Sequence, residues 1–307
     1  MLLDLLLLVL GLALLLAGGR LLVAGAVQLA GTLGVSELAI GLTVVAFGTS
    51  APELAVNLSA AIQGNAGIAF GNVVGSNIAN VALVLGVAAL VRSLRIDSTI
   101  VNREIPMMLL ATAAAIILGL DRLRGEVERY DRADGLILLL LFSVFLYYSI
   151  SEVAAKRSSD PIAEAAAGSV STEQFVTATR SGLMVAVGLA LLVGGAELTV
   201  ARAVALAEAL GVSRAVIGLS VVALGTSLPE LATSFVAARR GSITLAVGNI
   251  VGSNIFNLLF ILGTTAAITP VDVPHLGGAD LAALAGFSCM LLLLLAYAGF
   301  MTWRFAA

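Results

Sequence analysis

At 307 residues the chain is 60% apolar and 11% charged, with a mean hydropathy of +1.10, far too much hydrocarbon for a water-soluble domain of this size. A net charge of −3, with basic residues scattered through short loops, argues against a nucleic-acid partner and leaves the lipid bilayer as the partner. Cys289 is alone in an apolar run and His275 is the only histidine, so a disulfide framework, a zinc cluster or a haem has no ligands to build from, and no cofactor is expected.

A helical span takes roughly 20 residues. Apolar runs between charged or Pro/Gly-rich breaks predict spans at 3–30, 36–62, 67–91, 104–120, 134–151, 174–208, 213–239, 244–268 and 278–303. The expected fold class is an all-α membrane protein of about nine transmembrane helices. Leu2–Ala17 lacks a basic flank and runs on into Leu21–Leu29, so it reads as a retained first span and not as a signal peptide. The polar, Ala/Gly/Ser-rich stretch 152–172 reads as a linker between a first half, 1–151, with five spans and a second half, 173–307, with four. Arginines and lysines predominate in the loops that are internal when the N-terminus is outside, which predicts that orientation.

The two halves share an internal repeat. Gly34–Gly86 aligns without a gap onto Gly211–Gly263, with roughly 30 of about 53 positions identical, the self-similarity that marks a duplicated architecture. GVSELAIGLTVVAFGTSAPELA recurs as GVSRAVIGLSVVALGTSLPELA, and AFGNVVGSNIANVALVLG as AVGNIVGSNIFNLLFILG. Five predicted spans separate equivalent points, and an odd number inverts the second copy, so two inverted-topology repeats are expected. That is the architecture of many secondary transporters.

The most repeated residues are polar ones at membrane depth. Glu53 lies mid-span and Glu230 occupies the equivalent place in the second copy, where an isolated charge costs at least a few kcal/mol. Neither span offers a basic residue nearby; Arg239 and Arg240 stand at the far end of theirs. Cations are the natural partners. Pro52 and Pro229 cannot bond back to the carbonyls of Gly48 and Gly225, and the resulting bend should loosen neighbouring carbonyls such as those of Ala46 and Ala223, giving broken helices that carry an ion site. By helical spacing Thr49 and Ser50 share a face with Glu53, as Thr226 and Ser227 do with Glu230. The following span of each copy adds Ser76, Asn77 and Asn80, or Ser253, Asn254 and Asn257. All of these are hard oxygen donors, suited to Ca²⁺ and Na⁺ and poor for soft metals. Gly41, Gly71, Gly75, Gly218, Gly248 and Gly252 read as helix-packing residues, and Asn72 and Asn249 as caps or interhelical hydrogen-bonding residues. Arg20 and Glu197, at corresponding places, read as snorkelling or structurally paired.

The motifs GTSAPE with GSNIAN, and GTSLPE with GSNIFN, resemble the two alpha-repeats of the cation/calcium antiporter superfamily, specifically its sodium/calcium exchanger family of prokaryotic type. The resemblance implies a secondary-active antiporter, not an enzyme, that exchanges Ca²⁺ for Na⁺ by alternating access in the plasma membrane of a prokaryote. It implies a calcium site of Glu53, Glu230, Thr49 and Thr226, with sodium sites from Ser50, Ser76, Ser227, Ser253 and the carbonyls of Ala46 and Ala223. Several sodium ions per calcium would make transport electrogenic. Asn257 stands where potassium-dependent members have Asp, which weakens any case for potassium. The family usually has a tenth span, and the resemblance together with the nine predicted spans leads to the expectation that it is missing here.

Competing readings are a proton/calcium antiporter, whose members usually carry GNAxE-type motifs, and a passive cation channel. The expected partners are the lipid bilayer and calcium and sodium ions, with the protein working as a monomer or a homo-oligomer.

Overall fold

The computed structural model describes residues 1–63, 66–93, 100–120, 128–158, 172–212 and 223–306. The expected linker from 159 to 171, the first half of the loop 121–134, and the start of the expected span 213–239 with Gly218 lie outside the described residues. In chain order the elements are α1 (Leu2–Leu33), α2 (Glu37–Thr49), α3 (Ala51–Ile62), α4 (66–91), α5 (Ile100–Gly119), β1 (Arg129–Tyr130) and α6 (Arg132–Ser158). There follow α7 (Thr172–Ala209), α8 (Ala223–Gly225), α9 (Leu228–Arg240), α10 (Ile243–Ile268), β2 (Val271–Asp272) and α11 (Gly277–Ala306). Among the described residues six helices are long and apolar enough to cross a bilayer, the pair α2 and α3 can form a seventh span, and Gly277–Leu293 is a shorter apolar helix. The chain is a multi-pass α-helical membrane protein, and the predicted spans fall on these helices.

The contacts divide the chain into two compact units, Met1–Thr49 with Leu146–Asn249, and Ser50–Phe145 with Ile250–Ala307. Each unit takes segments from both halves of the sequence, so the spatial grouping cuts across the linear one.

In the first unit α1 packs along α7. Gly11, Gly18 and Gly25 recur every two turns on one face of α1, and Cβ atoms there would lie 2.5 Å from Thr199 Oγ1, 2.8 Å from Gly188 O and 2.9 Å from Met184 Cβ. The order of these partners makes the helices antiparallel, and small residues let their backbones approach closely. Leu22, Val45, Leu192, Ala237 and Leu245 fill the core beside this seam. Outside it, Leu2, Leu5, Leu6 and Leu12 of α1 are exposed, as suits a helix whose solvent on that side is lipid. Both α1 and α7 end on a left-handed glycine, Gly34 with φ 68° and Gly211 with φ 80°. In each the next residue reaches back into the last turn, Val35 N to Ala30 O and Val212 N to Ala207 O, both at 3.0 Å. These are the same helix stop in both copies, one that only glycine adopts without strain.

In the second unit α4 and α5 each pack on the end of α10, with α11 against α4 and α5. Gly135 lets the start of α6 meet α10, where a Cβ would lie 2.6 Å from Ala267 N. Phe142 packs nearby edge-on to Phe256 and tilted against Phe260, at ring distances of 5.6 and 5.0 Å. Strands β1 and β2 pair antiparallel, Tyr130 opposite Val271, and the buried Tyr130 hydroxyl donates to Ala115 O at 2.8 Å.

Candidate functional site

Each copy of the repeat contains a helix break at its GTS-x-PE motif. α2 stops at Thr49 and α3 starts at Ala51, bent by 45°; in the second copy a turn at Thr226 and Ser227 separates α8 from α9. The two serines adopt nearly the same backbone, φ −85° and ψ 7° at Ser50, φ −84° and ψ 4° at Ser227. Bonds Leu54 N to Ser50 O and Leu231 N to Ser227 O open the new helices at 3.1 and 3.0 Å. The helices are therefore broken, as the sequence predicted, and the prolines do not lie inside a continuous bent one. Pro52 and Pro229 sit in the first turn of a new one, where the missing N–H has no partner to lose. Helical spacing does not carry across the break, so Thr49 and Glu53 belong to different helices. Glu53 and Glu230 stand in the first turns of α3 and α9, where the helix dipole favours a negative side chain. Both are fully enclosed, at 1% and 0% exposure.

The first unit gathers Ala46 and Thr49 from the first copy with Thr226, Ser227 and Glu230 from the second; Ala223 begins α8. The end of α2 packs on α9 and on α7. Thr49 Oγ1 donates to Asn249 Oδ1 at 3.1 Å and lies 3.4 Å from Ala46 O, while Asn249 Nδ2 donates to Ser234 Oγ at 3.1 Å. This relay spends the Thr49 proton on Asn249 and leaves the oxygen's lone pairs for another partner. The hydroxyls of Thr226, Ser227 and Thr233 meet no hydrogen-bond partner among the described residues. The motif glycines let each break lie close against α7: a Cβ on Gly48 would press on Leu189 at 2.5 Å, and one on Gly225 would press on Val200 Cγ2.

The second unit gathers Ser50, Glu53, Ser76 and Asn80 from the first copy with Ser253 and Asn257 from the second. Here α3 packs against α4 and against α10 around Asn257. The Glu53 carbonyl accepts from Asn57 Nδ2 at 2.7 Å and from Asn72 Nδ2 at 3.5 Å. Asn80 Nδ2 donates to Asn254 Oδ1 at 3.1 Å. Ser253 Oγ and both polar side-chain atoms of Asn257 are buried and meet no partner among the described residues. Asn80 opens a π-helical segment, Asn80–Val84, and Asn257 lies in the corresponding one, Phe256–Ile261. Such local widening of a helix recurs at functional sites.

Asn72 and Asn249, expected to hydrogen-bond between helices, do so. Gly41 and Gly248 are packing residues, with Cβ positions 2.8 Å from Leu245 O and 3.1 Å from Leu38 O. Gly71 and Gly75 are not, because a Cβ there would meet nothing within 4 Å. Arg20 and Glu197 are exposed on α1 and α7. Sequence reading missed Asn57 and Ser234, equivalent residues one turn after each glutamate; their i+4 spacing from Glu53 and Glu230 was the available signal.

The sequence profile of the sodium/calcium exchanger protein family matches residues 3–151 and 180–306. Inner membrane protein YrbG of Escherichia coli is 36% identical over 99% of this chain and 90% of its own length. Sodium/calcium exchanger MaX1 of Methanosarcina acetivorans is 33% identical over 89% of this chain and 85% of its own. Among solved structures, the sodium-calcium exchanger NCX_Mj soaked with 100 mM Na⁺ and 10 mM Sr²⁺ superimposes with a TM-score of 0.82 at 32% identity, covering 96% of this chain and 91% of that one. With the profile covering most of the chain and relatives aligned along nearly all of it, this protein belongs to the sodium/calcium exchanger family.

Proposed function

We propose that the protein is a secondary-active antiporter that exchanges Ca²⁺ for Na⁺ across the plasma membrane of a prokaryote, opening its cation sites to one side at a time. The observation that carries this reading is the doubled helix break: two serines with the same backbone, each followed by a buried glutamate in the first turn of a new helix. A carboxylate enclosed at membrane depth is retained where it handles ions, and the donors around each break are hydroxyl, amide and carbonyl oxygens, which suit hard cations.

In this reading Glu53, Glu230, Thr49 and Thr226 hold calcium. Ser50, Ser76, Ser227, Ser253 and the carbonyls of Ala46 and Ala223 hold sodium, and Asn80 and Asn257 contribute amide oxygens. Residues 1–151 and 173–307 are the two inverted repeats, joined through 152–172. The carboxylates bind and release cations without bond making, and the sodium gradient supplies the work.

The test is calcium uptake by purified protein in vesicles loaded with sodium. Uptake that requires internal sodium and is indifferent to a proton gradient is expected. Uptake driven by protons would replace sodium with protons as the counter-ion, and flux independent of any gradient would make the protein a passive pathway.

A further inference from the structure

The two GSN-x-x-N motifs are identical at their asparagines, yet the structure treats them differently, and the cause lies outside the motif. In the second unit Asn254 Nδ2 donates to Met108 Sδ of α5 at 3.5 Å, while Asn254 Oδ1 accepts from Asn80 Nδ2 at 3.1 Å. Met108 is fully buried, as are Asn254 and Asn80, each at 1% exposure. Asn80 Oδ1 is then left buried with no partner among the described residues.

The polarity of this chain follows from the sulfur. A side-chain amide can present either its oxygen or its NH₂ to a neighbour, but a thioether only accepts. Met108 therefore fixes the NH₂ of Asn254 toward itself. The oxygen of Asn254 must then face Asn80, which answers with its own NH₂ and turns its oxygen away. The equivalent pair, Asn77 and Asn257, forms no such chain among the described residues. There Asn77 Nδ2 falls back on the carbonyl of Val73 in its own helix at 2.7 Å, and neither polar atom of Asn257 has a partner among the described residues.

We infer that Met108 is a positioning residue for cation binding: through Asn254 it presets the Asn80 amide with its oxygen offered as a ligand, while Asn257 is left free to turn. This rests on the proposed cation-binding role of Asn80. It predicts that the two motif asparagines are inequivalent in transport although their sequences match.

The test is Met108→Leu, which keeps the volume and removes the acceptor. Apparent Na⁺ and Ca²⁺ affinities would be read from ion-dependent thermal stabilisation of the full-length protein in detergent and from vesicle uptake. Once Asn254 and Asn80 can flip together, cation affinity should fall about five-fold, the size of one modest buried hydrogen bond. The melting temperature without ions should stay near wild type. Met108→Gln, whose amide oxygen can accept in the same place, should recover most of the loss. In an Asn80→Ala background Met108→Leu should add nothing, because no amide remains to orient. Unchanged affinity in Met108→Leu, or an equal loss with and without Asn80, would overturn the inference. If wild-type uptake itself proves independent of sodium, the exchanger reading fails separately.

Discussion

The helix break at Thr49–Pro52 and its mate at Thr226–Pro229 share a motif and a backbone, but their side chains keep different company. Thr49 is tied through Asn249 to Ser234, whereas the Thr226 hydroxyl has no partner among the described residues. Gly48 faces the end of a leucine, whereas Gly225 faces a β-branched valine. Main-chain geometry follows the repeat, because short-range sequence sets it. Side-chain surroundings follow the compact unit, whose members come from both copies. A duplicated motif thus yields two sites that need not bind alike.

The largest effect should fall where the copies agree. Glu53→Gln and Glu230→Gln should each reduce sodium-dependent calcium uptake to background, since both carboxylates head their helices in the same way. Retained uptake in either variant would show that the copies diverge even there.

The glycines sharpen the contrast. Gly48→Ala asks the flexible end of Leu189 to move, whereas Gly225→Ala pushes on Val200, which is stiff at χ1. Overpacking costs about 1–3 kcal/mol, and Gly225→Ala should stand at the upper end of that range, Gly48→Ala at the lower, as read from thermal stability. Equal losses would remove this difference.

A similar pairing separates the asparagines. Asn249→Ala strands two buried partners, Thr49 and Ser234, and should cost about 1–3 kcal/mol with a raised KM for calcium. Asn72→Ala removes only a 3.5 Å bond to a carbonyl that Asn57 also serves, so its effect should be smaller in both readouts.

The smallest effect lies far from the breaks. Asp131 caps α6, accepting from Ala133 N at 2.7 Å and Asp134 N at 3.0 Å, and Asp131 N in turn donates to Asp134 Oδ2 at 2.9 Å. These amides hold the Asp131 carboxyl below its ordinary pKa. Its stabilising contribution is therefore complete above the ordinary carboxylate range and is lost as pH falls through the folded value. Asp131→Ala should lower the melting temperature by about 2 °C at neutral pH, with the difference closing in strong acid and transport unchanged.

Much of this was legible from residue order alone. Apolar runs located the spans, and a gapless repeat located both breaks and their glutamates. Other features were not. Local pattern cannot tell a proline that kinks a helix from one that opens the next, and Pro52 and Pro229 do the latter. The grouping of Thr49 with Asn249 and Ser234 joins residues about 200 apart in sequence and follows from packing. Met108 carries no motif; a methionine in an apolar span reads as core until its sulfur is seen beside an amide.

The most direct test of the central claim is calcium binding at equilibrium to purified wild type, Glu53→Gln, Glu230→Gln and the double variant, with sodium as competitor. The account predicts that wild type binds calcium, that sodium displaces it, and that each single substitution abolishes high-affinity binding. Full calcium affinity in the double variant would contradict the assignment of these two glutamates as the cation ligands.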